Sequence, residues 1–253
     1  MSATDKRVVL ITGASSGIGR ASALAFAALG DAVVVVSRNL ERSRAVVNDI
    51  AQGGGEALAL AADVGNSADV ERMIAQTMAH YGRLDVLFNN AGISPSGRVT
   101  DISEAEWDEC LNVDLKSVFL ACKHAIPHMI VGGGGVILTT AGTFGLRPAK
   151  NKAAYSAAKA AAINLTKAIA LDYAREGIRA NVIAPGVVQT PLLGGLEHDE
   201  SFQRFLDQYQ PLPGLTQPQD VAALAVYLAS DAAQMMTGQV YVIDGGQQTG
   251  LFV

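Results

Sequence analysis

Seven apolar runs of strand length recur along the chain: RVVLIT (7–12), AVVVVS (32–37), EALALAAD (56–63), LDVLFNNAG (84–92), GVILTTAG (135–142), IRANVIAPG (178–186) and GQVYVIDGG (238–246). Longer amphipathic stretches separate them, which is the alternation of βαβ units. The runs are continuously apolar, so both faces of each strand are expected to be buried. That pattern predicts a parallel sheet with helices on both faces, an α/β doubly wound fold. Turn signals fall at Gly53 to Gly55, at Gly132 to Gly135 and in PLPGLTQPQD (211–220), and none is long enough to link two domains. The expectation is one domain over residues 1–253. Its least patterned stretch, Thr190 to Leu215, combines Gly194, Gly195, Pro211 and Pro213 with a short helix candidate from Phe202 to Tyr209, the make-up of a lid over a substrate.

With 253 residues, 49% hydrophobic and 17% charged, the chain can bury one large core. Its net charge of −5 is spread without a basic cluster, so neither nucleic acid nor an anionic membrane has an electrostatic footprint to bind. No stretch reaches transmembrane length and the start MSATDKRVVLITG runs straight into a strand, so a cytoplasmic location is expected. Cys110 and Cys122 are expected on one helix about 18 Å apart, too far to bridge. They are read as reduced, packed thiols.

The candidate chemistry begins at TGASSGIG, Thr12 to Gly19, which closes the first strand and opens a helix. Gly13 allows a sharp turn, Gly17 a close backbone approach and Gly19 close packing of helix on strand. With Ser15, Ser16 and Ile18 they leave free N–H groups at a helix N-terminus to face a pyrophosphate. Taken alone, this spacing also suits a tight βα turn. The second strand closes on Ser37 and Arg38, where dinucleotide folds often place a carboxylate for the adenosine ribose. An arginine there pairs with a 2′-phosphate, which favours NADP(H) over NAD(H), against the alternative that Arg38 is merely a solvated charge. Asp63 and Val64 end the third strand, where a carboxylate can meet the adenine amino group or simply cap a loop.

Tyr155 and Lys159 stand four apart in an alanine-rich helical run, on one helix face, so the ammonium can lower the phenol's pKa. With TGASSGIG, the NNAG of residues 89–92, Tyr155-x-x-x-Lys159, Pro185-Gly186 and GQVYVIDGG all in order, the chain resembles the short-chain dehydrogenase/reductases over nearly its whole length. The resemblance implies a Rossmann fold and an NAD(P)-dependent oxidoreductase acting on a small or medium-sized apolar carbonyl or alcohol. In it Tyr155 would exchange the proton and Lys159 would hold the nicotinamide ribose. Asn90, Ala91, Gly92, Pro185, Gly186, Val188 and Thr190 would line the cofactor site. It also implies a homotetramer built through the helices around Cys110 to Met129 and Tyr155 to Tyr173, with a further contact near the apolar ending GLFV. No metal is called for.

Two positions depart from the family pattern. Its serine, thirteen residues before the tyrosine, is here Gly142, and its asparagine is Asp114, in the register fixed by Trp107 of WDECLNVDL. An aspartate keeps the main-chain carbonyl and could hold Lys159 charged. Glycine removes a hydrogen bond to the reacting oxygen, an effect of roughly 1.5–4 kcal/mol. Thr143 is the first candidate to replace the hydroxyl and Thr140, deeper on the strand, the second, beside the reading in which both threonines simply suit a strand. Gly142→Ser is expected to raise turnover if the site is merely weakened, and to give no gain if the glycine makes room for a substrate. Phe144, Leu146, Leu192, Leu193, Leu196, Phe202 and Phe205 are candidates for the pocket wall, or else for the core or a subunit interface. The alternative to an enzyme is a dinucleotide-binding protein with impaired catalysis.

Overall fold

The computed structural model describes residues 6–196 and 199–249. Seven strands, β1 (Val8–Thr12), β2 (Ala32–Ser37), β3 (Glu56–Ala61), β4 (Val86–Asn89), β5 (Gly135–Thr140), β6 (Ile178–Pro185) and β7 (Val240–Ile243), form one sheet in the order β3-β2-β1-β4-β5-β6-β7, every neighbouring pair parallel. All seven coincide with the apolar runs. The third run stops short, at Ala61, leaving Asp63 in the turn that follows.

Helices fill the connections: α1 (Gly17–Ala28), α2 (Leu40–Gln52), α3 (Ser67–Tyr81), α4 (Glu104–Leu111), α5 (Ser117–Val131), α6 (Ala153–Tyr173), α7 (Glu200–Tyr209) and α8 (Pro218–Leu228). Strand residues alternate between two cores. Val8 and Leu10 join Met73, Ile74 and Met129 on one face, while Val9 and Ile11 join Phe26, Val46 and Leu228 on the other. Burial on both sides is why these strands show no polar alternation. Chain order reverses between β1 and β4, so the carboxyl ends of these strands open a crevice at the switch point.

Cys110 and Cys122 do not share one regular helix. A π-helical turn over Asn112–Lys116 separates α4 from α5, and both cysteines are buried, unbridged thiols. No helix of the described residues is long and apolar enough to cross a membrane. The expected contact through GLFV lies outside the described residues.

Candidate active site

At the carboxyl end of β1 the chain turns into α1, whose N-cap Ser16 makes no side-chain cap and whose first turn holds no acidic residue. The leading N–H groups therefore face the crevice with a partial positive charge that nothing in α1 neutralises. Gly19 lies beneath this turn. A Cβ there would overlap the Gly13 carbonyl oxygen and come within 2.7 Å of Asn90 Nδ2 and 2.8 Å of Ala14 Cα. Asn90 ties three strands together: its Nδ2 donates to Thr12 O at 3.1 Å, its backbone N–H donates to Thr12 Oγ1 at 3.0 Å, and its Oδ1 accepts from Thr140 Oγ1 at 3.2 Å. Thr140 is thereby committed to Asn90.

β5 ends at Thr140, and Gly142 turns the chain with φ 82° and ψ 157°, a conformation essentially reserved for glycine. A short 3₁₀ turn, Thr143–Gly145, leads on toward α6. A Cβ on Gly142 would lie 3.1 Å from Tyr155 Oη. A serine here therefore meets both backbone strain and the phenol it was meant to assist. Both features weigh against a gain from restoring a hydroxyl at 142 and are consistent with the glycine as a space-making residue. Thr143 lines the cleft, and its hydroxyl has no hydrogen-bond partner among the described residues.

Tyr155 and Lys159 lie one turn apart on α6, with Lys159 Nζ 5.7 Å from the phenol ring centroid. Lys159 is buried. It pairs with Asp114 Oδ1 at 2.9 Å and donates to Thr140 O at 3.1 Å. Asp114, at 0% exposure, also accepts from the Ile93 backbone N–H at 3.2 Å and from Cys110 Sγ at 3.5 Å. The π-helical turn carries Asp114 to this position. Burial pushes the Tyr155 phenol above its ordinary range, Lys159 opposes that shift, and Asp114 adds to it. Burial also works against the Lys159 ammonium, but Asp114 and Tyr155 outweigh it and hold the amine above its usual value. Burial next to Asp114 raises the Cys110 thiol to about 12.

The crevice is one cavity of about 910 Å³. Gly13, Ser15, Ser16, Gly17, Ile18, Ser37, Arg38, Asp63, Val64, Asn90, Ala91, Gly92, Gly142, Thr143, Tyr155, Lys159, Pro185, Gly186, Val188 and Thr190 all line it. Of the residues singled out from sequence, Gly19 and Asp114 lie behind that wall. Phe144, Leu192, Leu193, Leu196 and Phe202 form its apolar side; Leu146 does not reach it, and the Phe205 side chain lies outside the described residues. Ser37 Oγ is spent on Asn39 O at 2.9 Å and Ser43 Oγ at 2.8 Å. One oxygen of Asp63 accepts from Gly65 N–H at 3.0 Å, while the N-cap of α3 is Asn66. Sequence reading missed Arg42, Ser94, Lys150 and Lys152, which also line the cleft. No group of three or more metal-ligating side chains occurs among the described residues.

The uncapped helix start, the packed glycine turn and the cavity's size suit a dinucleotide, which Gly13 to Ile18, Asp63, Val64 and Asn90 to Gly92 would hold. A family model described as enoyl-(acyl carrier protein) reductase matches residues 13–248. A crystal structure of a short-chain type dehydrogenase/reductase from Mycobacterium marinum superposes with a TM-score of 0.92 at 35% identity, covering 98% of this chain and 97% of that one. The chain belongs to the short-chain dehydrogenase/reductases. A (2S)-[(R)-hydroxy(phenyl)methyl]succinyl-CoA dehydrogenase subunit of Thauera aromatica is 40% identical over 243 residues, 96% of this chain and 97% of the relative. A 7α-hydroxysteroid dehydrogenase, complexed with NADH and 7-oxo glycochenodeoxycholic acid, aligns with a TM-score of 0.92 at 33% identity over 98% of this chain and 97% of that one. This short-chain dehydrogenase/reductase is thus an oxidoreductase of alcohol and carbonyl groups that works with a nicotinamide cofactor.

Proposed function

We propose that the chain is an NADPH-preferring reductase or dehydrogenase in which Tyr155 is the acid/base, Lys159 its activator and Asp114 the group that holds Lys159 in place. The observation that carries this reading is the buried Lys159–Asp114 pair, 2.9 Å long, one helical turn from Tyr155 at the cleft wall. A buried ion pair contributes little net stability and is costly to break, so its position beside an ionisable phenol points to chemistry rather than packing.

The cofactor, when bound, supplies or accepts the hydride. Tyr155, kept protonated at neutral pH by burial, hands its proton to the substrate oxygen in reduction and takes it back in oxidation. Lys159 has three N–H donors, of which Asp114 and Thr140 O take two. The third is left for the cofactor ribose, and the ammonium charge stabilises the phenolate as it forms. Thr143 supplies the donor that Gly142 lacks. The preference for NADPH rests on Arg38 together with Arg42: both are exposed at the cleft edge, and neither guanidinium has a partner among the described residues. The apolar wall suits an alcohol or ketone on an apolar skeleton, in keeping with the 7-oxo compound in the related steroid dehydrogenase complex. Residues 190–215 serve as the lid, since Leu192, Leu193, Leu196 and Phe202 all come from that segment. Exposed Phe119 and Val131 on α5 and Leu171 on α6 support assembly as a homotetramer.

The rival reading, binding without efficient turnover, draws on one feature: Tyr155 Oη donates to Ala141 O at 3.5 Å, and among the described residues no side-chain hydroxyl bonds to it. Two variants decide between them. Tyr155→Phe should cut turnover on a carbonyl panel by about 100-fold or more while NADPH still binds, and Lys159→Ala should harm both. Undiminished turnover in Tyr155→Phe would place the chemistry elsewhere. A parent protein that binds NADPH yet reduces no member of the panel would favour the rival.

A further inference from the structure

The substrate half of the cleft carries a charge that the reaction does not use. Lys152 stands three residues before Tyr155, at the N-cap of α6, and lines the cavity. Among the described residues its ammonium is met only by neutral oxygens: Ser94 O at 3.0 Å, Ser94 Oγ at 2.8 Å and Ser96 Oγ at 2.7 Å. Lys150, two residues earlier, also lines the cavity, is exposed, and has no partner among the described residues. Among the described residues, the only acidic side chain on the cavity wall is Asp63, at the opposite, adenosine end. A chain of net charge −5 therefore presents, beside its acid/base, two cations with no carboxylate partner among the described residues.

The hydrogen bonds around Lys152 say how such a site would work. All three ammonium donors are spent on the serines, so a ligand need not displace them. Each serine hydroxyl accepts from Lys152 and so keeps its own O–H to give away. Ser94 lines the cavity, and its O–H, polarised by the ammonium behind it, is a charge-assisted donor facing the cleft. Burial pulls the Lys152 ammonium below its ordinary range. A counter-anion would relieve that cost.

We propose that the substrate is an anionic one: an alcohol or ketone on an apolar skeleton that also bears a carboxylate, which Ser94 and Lys152 receive, with Lys150 at the rim, while Tyr155 addresses the carbonyl. This rests on the oxidoreductase reading above, and it adds a site that does no chemistry. Ser94 and Lys152 here set specificity and orientation. The apolar wall around Phe144 and Leu193 takes the skeleton between the two polar ends.

The test compares 4-oxocyclohexanecarboxylate with its methyl ester, following NADPH oxidation. The acid should be preferred in kcat/KM by roughly tenfold or more, the worth of one hydrogen bond to a charged group. Lys152→Met should bring the acid-to-ester ratio to about one, chiefly through the KM of the acid. Lys152→Arg should keep a preference, a rescue that a purely structural lysine would not show. Should the methionine variant fail to fold, Ser94→Ala is expected to lower the same ratio. An ester reduced as well as the acid by the parent, or a ratio unmoved by these substitutions, overturns the proposal.

A binding measurement separates it from the reaction reading. Cyclohexanecarboxylate, titrated calorimetrically into the NADPH-saturated protein, should bind more tightly than cyclohexanecarboxamide, and Lys152→Met should abolish the difference. If neither ketone is reduced but that difference is present, the reaction reading fails and the anion site stands. A carboxylate that binds no better than the amide overturns the anion site, whatever the turnover.

Discussion

Two glycine-bearing turns, each at the carboxyl end of a central strand, have met different demands. In the turn from β1 to α1 the backbone itself is the binding group: free N–H groups face the cleft, and Gly19 packs so closely on Gly13, Ala14 and Asn90 that no side chain fits. The family pattern is intact there. In the turn from β5 toward α6 a side chain would ordinarily do the work, and glycine has replaced it at 142 with a backbone that serine rarely adopts. The contrast teaches that a site tied to backbone geometry resists substitution, whereas one tied to a single hydroxyl can be rebuilt. On the reading proposed above, the rebuilding takes in Thr143 on one side of Tyr155 and Asp114 behind Lys159.

The largest effect should come from breaking that rebuilt end. Lys159→Met strands Asp114 at 0% exposure, and unpairing a buried charge typically costs about 3–5 kcal/mol, readable as a lower denaturant midpoint. Adding Asp114→Leu to Lys159→Met should restore much of that stability without restoring turnover. Next in size are the two glycines. Gly19→Ala should cost about 1–3 kcal/mol through overpacking and weaken NADPH binding. Gly142→Ser should cost a similar amount, about 1–3 kcal/mol, through its positive φ, leave NADPH binding nearly unchanged and lower turnover. A gain in turnover would mean that the glycine marks a weakened site after all. Arg38→Ala comes next: by calorimetry it should erase most of a preference for NADPH over NADH of roughly tenfold, with NADH affinity unchanged. A parent that prefers NADH would sink that assignment. The smallest effect concerns the thiols: burial raises Cys110 and Cys122 each to about 12, so the folded protein should react with a thiol reagent only as fast as it opens.

How much of this could be read from the chain depends on which contacts are local. The strands were legible because burial on both faces leaves them continuously apolar, and the helix carrying Tyr155 and Lys159 because four residues make one turn. Arg38 was legible at the end of β2, but Arg42 was not: nothing in a solvated helix turn says that its side chain reaches the cleft. Ser94 and Lys152 are 58 residues apart, and their meeting depends on how the loop after β4 lies against the start of α6. Which of the apolar candidates lines the wall was not legible: the 3₁₀ turn at Thr143–Gly145, invisible as a pattern, carries Phe144 into the cleft and leaves Leu146 outside it, 41% exposed. The geometry at Gly142 was hidden as well, since a glycine's sequence gives no sign of its φ.

The central claim is that the Asp114–Lys159 pair sets the protonation of Tyr155, and the pH dependence of alcohol oxidation tests it most directly. Oxidation needs the phenolate, so its rate should rise with pH through the Tyr155 pKa, which burial and Asp114 raise and Lys159 lowers. Asp114→Asn removes one of the raising charges while its amide oxygen can still accept from Lys159. The account predicts that the rising limb of kcat against pH moves to lower pH in Asp114→Asn. A limb that stays where it is, or moves to higher pH, would contradict the claim that this carboxylate acts on Tyr155 through the buried pair.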